Sequence, residues 1–98
     1  MMPTFATFPR FEADWRTMTR EQQEAFRTVV LDAFVPDLMT PGMSFRPELH
    51  VKPVSGHAGL LEMSWSEEGR AAFSYGTEHM PGEPHVIWWQ ITPSQPRS

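Results

Sequence analysis

The second half of the chain consists of short segments that alternate between apolar and polar residues, separated by glycine and proline. Residues 49–54, 59–65, 70–75 and 85–91 have the period-two pattern, or the β-branched and aromatic content, of strands in a half-buried sheet. The turn at 67–69 joins the middle two segments, with Gly69 supplying a positive φ angle, and 80–84 forms another loop. The pattern predicts an antiparallel sheet of three to four strands.

Two amphipathic helices precede this sheet. Apolar residues at positions 8, 11, 15 and 18 recur at spacings of three and four, which places them on one face of a first helix. Thr19 and Gln22 fit a capping box, so a second helix begins near Arg20 and has an apolar stripe from 26 to 38. Pro36 distorts or ends its last turn. We therefore predict an α+β fold in which an N-terminal strand at 4–7 and a two-helix hairpin pack on the small sheet.

Composition narrows the functional classes. The 98 residues suffice for one domain, which we assign to 1–92, with 93–98 as a loose tail. No apolar run approaches the length of about 18 residues that a membrane span needs. The chain has no cysteine, which fits a cytoplasmic protein, and its four histidines lack metal-site spacing, so we expect no metal and no other cofactor. A net charge of −4 disfavours RNA binding unless the few cations cluster locally.

Three glycine-containing segments carry a family resemblance. They are Val-Lys-Pro-Val-Ser-Gly at 51–56, Gly-Leu-Leu-Glu-Met at 59–63 and Gly-Arg-Ala-Ala-Phe-Ser-Tyr at 69–75. Together with the order strand, helix, helix and sheet, they resemble the RelE/ParE superfamily of bacterial toxin-antitoxin systems, in particular its RelE- and HigB-like branch. The resemblance extends over residues 5–91 and implies a divergent member with a RelE-like fold.

The resemblance implies a toxin that inhibits translation by cutting messenger RNA on the ribosome without a metal ion. In this reaction the RNA 2′-hydroxyl attacks the adjacent phosphate, so the protein accepts a proton, stabilises charge on the phosphate and protonates the leaving oxygen. By their places in the family pattern, Lys52 and Arg70 are the expected phosphate-contacting or proton-handling groups. His85 is the expected acid–base group because histidine titrates near neutrality. A cognate antitoxin is the implied partner.

The chain departs from the family pattern at its cationic positions. Ser64 stands where active members have an arginine, the segment 73–75 lacks a further one, and 88–93 contains neither arginine nor a terminal histidine or tyrosine. Lys52, Arg70 and His85 are then ordinary surface residues in the alternative interpretation. Under it, the chain is a catalytically inactive RelE-fold protein that acts through protein contacts.

Trp88 and Trp89 are neighbours on the last predicted strand, so their side chains point to opposite faces of the sheet. One of them faces outward together with Val86, and a large exposed apolar side chain marks an interaction surface. The candidate occupants are an antitoxin segment, a second copy of the chain in a homodimer, and an RNA base stacked on the indole. Alternatively, the loop at 76–84 or the C-terminal tail covers the outward tryptophan.

Overall fold

A computed structural model of the protein describes residues 3–40, 42 and 44–93. The strands and helices follow one another in an order close to the predicted one. They are β1 (Thr4–Thr7), α1 (Pro9–Thr17), α2 (Arg20–Val29), a π-helical turn (Val30–Phe34), α3 (Val35–Leu38), a 3-10 turn (Pro47–Leu49), β2 (Lys52–Pro53), β3 (Leu61–Ser64), β4 (Arg70–Met80) and β5 (Glu83–Thr92). The domain boundary at 92 stays a prediction, and residues 94–98 of the predicted tail lie outside the described residues.

The start of α2 is fixed by the predicted capping box. The Thr19 hydroxyl accepts a hydrogen bond from the Gln22 backbone N–H at 3.1 Å, and the Gln22 side chain accepts one from the Thr19 N–H at 2.8 Å. Two backbone donors that a helix leaves unpaired at its N-terminus are satisfied in this way. The sequence therefore located this helix start correctly.

The second helix passes through a π-helical turn before it ends. The Val35 N–H donates to the carbonyl of Val30, five residues earlier. The next residue is Pro36, which has no N–H to donate and whose ring crowds the carbonyl four residues before it. A wider turn at this point relieves the crowding. Pro36 thus distorts the helix, as predicted, and the helix continues to Leu38.

The strands form one five-stranded mixed sheet in the order β1-β5-β4-β3-β2. β1 runs parallel to β5, with Phe5 opposite Val86, whereas the other neighbouring strands are antiparallel. The predicted α+β class is confirmed, but the sheet has more strands than predicted and is not wholly antiparallel. The additional pairing joins the two ends of the chain, and no local sequence pattern encodes such a long-range contact.

The largest differences in strand boundaries from the prediction are at β2 and at the β4–β5 hairpin. Of the segment 49–54, only Lys52–Pro53 is a strand, because Pro47–Leu49 forms a 3-10 turn and Pro53 lacks the N–H that a longer ladder requires. The predicted loop at 80–84 shrinks to Pro81 and Gly82, between the paired Met80 and Glu83. Gly82 has a φ angle of 84°, as the residue after proline has in a type II turn. The segment 76–84 therefore extends the β4–β5 hairpin.

Gly69 serves a different purpose from the predicted one. Its φ angle is not among the positive ones, so the turn at 67–69 does not need that freedom. A Cβ atom at this position would lie 2.5 Å from Cε2 of Trp65 and 2.5 Å from the Ser66 hydroxyl oxygen. Glycine is required here because the Trp65 ring occupies the space of a side chain.

The helices and the sheet enclose one hydrophobic core. Phe26, Val30 and Phe34 of the predicted helical stripe are buried in it, which confirms that stripe. Phe11 of α1 and Met18, the residue after α1, are buried and Trp15 packs against the core, but Phe8 is not part of this face. Phe8 is the residue before the helix and lies edge-on to Trp89, with 4.3 Å between ring centroids.

A β-bulge separates the two neighbouring tryptophans. Ala72 pairs with Gln90 and Phe73 pairs with Trp88, so Trp89 is the extra residue of β5. Trp88 is 4% exposed and Trp89 is 40% exposed, which agrees with the prediction of opposite faces. Val86 is fully buried on the side of Trp88, so its predicted outward direction is wrong. Residues two apart on a strand share a face, and Val86 belongs with the core tryptophan.

We expect Trp88→Ala to lower the free energy of unfolding by about 3–5 kcal/mol, because it removes a large buried ring and leaves a cavity. Trp89→Ala is the matched control and should cost about 1 kcal/mol, as a partly exposed ring with one hydrogen bond is lost. Urea unfolding of both variants measures the difference. Equal losses would contradict the assignment of the two rings to opposite faces.

The Asp37 carboxylate ties the end of the helical segment to the following loop. It accepts hydrogen bonds from Nε of Arg46 at 2.8 Å, from Nη2 at 3.0 Å and from the Arg46 backbone N–H at 2.9 Å. These bonds favour the ionised carboxylate and lower the pKa of Asp37 to about 2. The ion pair between Asp37 and Arg46 is therefore present at every pH at which the Asp37 carboxylate is ionised.

We expect the stabilisation by Asp37 to be lost in acid. In the unfolded chain an aspartate has a pKa near 3.9, above the folded value, so the contribution is fully present above about pH 5 and disappears as pH falls through about 2. Urea unfolding of the wild type and Asp37→Asn between pH 7 and pH 2 should show a stability difference that is constant down to about pH 5 and then shrinks. A difference independent of pH would argue against the ion pair.

Candidate functional site

The sheet has one face covered by the helices and one face, here called the open face, turned away from them. Lys52, Glu62, Ala72 and Gln90 pair successively across β2, β3, β4 and β5 and form a single row. Alternate residues of the same strands, such as Met63 and Phe73, are in the core. The row therefore belongs to the open face.

A cleft of about 260 Å³ lies beside this row and contains two arginines. It is lined by Arg10, Glu62, Arg70, Ala71, Ala72, Gln90 and Thr92, and is called the arginine cleft below. Arg70 begins β4 and pairs with Thr92 at the end of β5, whereas Arg10 comes from the first turn of α1. The cleft is thus assembled from a helix and three strands.

The cations in and beside the cleft are held by neighbouring groups. Nη1 of Arg70 donates to the backbone oxygen of Gly69 at 2.9 Å and to those of Ser66 and Glu67 at 3.4 Å each. Nε of Arg10 pairs with Asp14 at 3.2 Å, and Nζ of Lys52 lies 3.9 Å from Glu62. Backbone oxygens are neutral, so Arg70 keeps its net charge for an anion, whereas a carboxylate offsets the charge of each of the other two.

The structure brings Lys52 and Arg70 to the same region of the open face. The row that contains Lys52 crosses β4 at Ala72, which is two residues from Arg70 on the same strand. Lys52 itself lies on β2, two strands away from β4. With strand spacings near 4.8 Å and a rise near 3.3 Å per residue, their Cα atoms are roughly 12 Å apart. Both side chains are long enough to approach one phosphodiester between them.

His85 lies elsewhere on the sheet. It pairs with Gly76, six residues along β4 from Arg70, which corresponds to roughly 20 Å. The residue is 7% exposed, its Nδ1 lies 2.7 Å from the Thr4 hydroxyl, and its ring stacks on that of His79 with 4.2 Å between centroids. The histidine is therefore not part of the arginine cleft.

The outward tryptophan flanks the cleft. Trp89 precedes Gln90, a lining residue, and its Nε1 donates to the Ser74 hydroxyl at 2.7 Å. Phe8 packs on its ring edge and Arg10 follows two residues later. An exposed aromatic surface and the arginine cleft are thus adjacent on the open face. Trp88 is buried against the helices, so of the two tryptophans only Trp89 has an exposed ring on this face.

Sequence reasoning missed Arg10 and Glu62 as site residues. Glu62 alternates with the apolar residues Leu61 and Met63, so its side chain is expected on the other face of β3. This pattern alone was sufficient to locate Glu62 on the open face. Arg10 gave no such signal, because its approach to the cleft depends on how α1 crosses the end of β5. The structure also shows no group of three metal-ligating side chains among the described residues.

The fold of this chain is similar to that of solved toxins of bacterial toxin-antitoxin systems. The backbone matches the YoeB/ParE toxin from Agrobacterium tumefaciens with a TM-score of 0.61 at 13% sequence identity, over 90% of this chain and 94% of that one. It also matches a chain of the E. coli DinJ–YafQ toxin-antitoxin complex with a TM-score of 0.55 at 6% identity, over 93% and 91% of the two chains. A structure of YafQ from E. coli gives 0.55 at 7% identity, over 91% and 90%.

These matches confirm the predicted resemblance to the RelE/ParE fold. At such identities the property shared is the fold. No protein-family model and no curated protein sequence matches the chain. No helix among the described residues combines the length and apolar character that a membrane span requires.

We expect Gly76→Ala to lower the free energy of unfolding by about 1–3 kcal/mol through overpacking. The added Cβ would lie 2.6 Å from Cδ2 of His85 and 2.9 Å from Cδ1 of Ile87. Urea unfolding measures the loss, and the double variant with His85→Ala should recover part of it because the nearer atom is gone. Full additivity of the two losses would show that the histidine ring is not above Gly76.

Proposed function

We propose that this chain is the toxin-like component of a toxin-antitoxin pair and that the arginine cleft is its site for cleaving RNA. The supporting observation is that Arg10 and Arg70 line one cleft with the carboxylate of Glu62, on the open face of a toxin-type fold. Two guanidinium groups can bind the oxygens of a phosphodiester, and the carboxylate can accept a proton. The proposed place of action is the cytoplasm, on messenger RNA at the ribosome.

In the proposed reaction, the RNA 2′-oxygen forms a bond to phosphorus while the bond to the 5′-oxygen breaks. Glu62 accepts the 2′-hydroxyl proton, since it is the carboxylate among the lining residues. Arg10 and Arg70 stabilise the charge that develops on the phosphate oxygens. Lys52, 3.9 Å from Glu62, donates the proton to the leaving 5′-oxygen. His85 has no part in this scheme because of its distance from the cleft.

The proposed protein partner is an antitoxin that contacts the exposed Trp89 and Phe8 beside the cleft. The E. coli neighbour of similar fold comes from a toxin-antitoxin complex. A partner on this aromatic surface would also obstruct the arginine cleft, because Gln90 and Arg10 are close in sequence to these rings. Inhibition would then follow from the same contact that buries the aromatic surface.

A second candidate function is a binding protein without catalysis. The charge pattern favours it: carboxylates pair with Arg10 and Lys52, and the whole chain carries a net charge of −4. In this case the open face binds a protein, and substitution of the cationic residues of the cleft leaves the effect of the protein on growth unchanged.

Expression of the protein alone in a bacterial host, with mapping of transcript 5′ ends, separates the two. We expect growth arrest with new RNA ends for the wild type, and about a 10²–10³-fold loss of cleavage for Arg70→Ala, because one electrostatic donor is removed. Glu62→Gln and Lys52→Ala should also lose cleavage, whereas His85→Gln should retain it.

Arg20→Ala is the matched control. Arg20 is a helix-surface arginine whose side chain is 90% exposed and pairs with Glu24 away from the cleft. Arrest without new RNA ends, unchanged in Arg70→Ala, would establish the binding function. Cleavage that persists in Arg70→Ala and Glu62→Gln would rule out the arginine cleft as the catalytic site.

A further inference from the structure

A second concave site lies on the helical side of the molecule, between α1 and α2. This groove has a volume of about 540 Å³. Its surface is mainly apolar, and its lining residues are Thr7, Phe11, Glu12, Trp15, Arg16, Phe26, Arg27, Val30, Leu31 and Trp88. We call it the helical groove. Its volume is in the range of small-molecule sites.

The dimensions of the helical groove favour a small occupant. On α1 the lining residues extend from Phe11 to Arg16, and on the second helix they extend from Phe26 to Leu31. Each wall is therefore about 7.5 Å long, at 1.5 Å per residue. A ring system or a short alkyl chain fits this length, whereas a docked peptide helix would need several turns of contact.

The rim of the groove carries two cations without carboxylate partners. In the described part of the chain, Arg10, Arg20 and Arg46 each form an ion pair, but no carboxylate lies within ion-pairing distance of Arg16 or Arg27. The Arg27 guanidinium carbon lies 5.2 Å from the centroid of the Trp15 ring, which holds the charge over the mouth of the groove.

The acidic residue on the rim, Glu12, forms no ion pair with these cations in the described part of the chain. Oε2 of Glu12 accepts a hydrogen bond from the Thr7 hydroxyl at 3.1 Å. The floor of Phe11, Phe26, Val30 and Trp88 is apolar, and the two guanidinium groups above it form no ion pair with any described residue. This arrangement is complementary to a molecule with an apolar body and one negative end.

We propose that the helical groove binds a small amphiphilic carboxylate. Its ring or short alkyl chain contacts the apolar floor, and its carboxylate lies against Arg16 and Arg27. The site is separate from the arginine cleft, shares no lining residue with it and requires no RNA. It therefore stands whether or not the chain cleaves RNA.

Calorimetric titration of the purified full chain with 2-naphthoate and its neutral analogue 2-naphthamide tests the proposal. We expect naphthoate to bind about tenfold more tightly, since one charge-assisted contact accounts for about that factor. The double variant Arg16→Gln, Arg27→Gln should abolish this preference and leave naphthamide binding unchanged. Glu12→Gln should strengthen naphthoate binding about two- to threefold, because a like charge at the rim is removed.

Arg20→Gln is the matched control, because it removes the same charge from α2 outside the groove and should leave both dissociation constants unchanged. In nuclear magnetic resonance spectra, naphthoate should shift the indole N–H signals of Trp15 and Trp88 more than that of Trp89. Equal affinities for the two probes, or a preference for naphthoate that survives in the double variant, would overturn the proposal. Shifts confined to Trp89 would overturn it as well, and unfolding midpoints of all variants verify that they are folded.

Discussion

The packing of Trp88 is the interaction on which the remaining structure depends. Its ring centroid lies 5.2 Å from that of Phe26, 5.4 Å from Phe34, 5.6 Å from Phe73 and 6.1 Å from Phe11. These phenylalanines come from both helical segments and from a neighbouring strand, so one side chain of β5 joins every layer of the fold. Aromatic pairs at these separations add to the stabilisation that burial already provides.

The β-bulge at Trp89 allows this packing and also shapes the open face. Without the extra residue, strict alternation would continue from Trp88 to Gln90 and Thr92 on one face and would turn Ile91 outward. With it, Ile91 returns to the core at 1% exposure while Gln90 lines the arginine cleft. A single irregularity in β5 therefore fixes the position of the core, of the exposed tryptophan and of the cleft together.

The two concave sites have separate linings and differ in chemistry. The arginine cleft is smaller and more polar than the helical groove, and its Arg70 and Glu62 side chains already contact neighbouring groups. The helical groove is larger and mainly apolar, and its two cations have no carboxylate partner in the described part of the chain. Trp88 lines the helical groove but not the arginine cleft, and the two sites have no lining residue in common.

The sequence by itself determined the helices and most strand positions, because capping, proline and alternation act over a few residues. The capping box at Thr19 and the apolar stripe of Phe26 and Phe34 are local features, and each lies where its pattern indicated. The family resemblance likewise led to the correct fold, since it compares the order of whole elements.

Only the tertiary structure decided which residues meet. It pairs β1 with β5 and brings Arg10 to the same cleft as Arg70, and these positions are far apart in the chain. It also separates His85 from that cleft. Their physical cause is the packing of α1 across the sheet and the register of β4 against β5. Neither is encoded in a short segment, because both follow from burying the whole apolar surface at once.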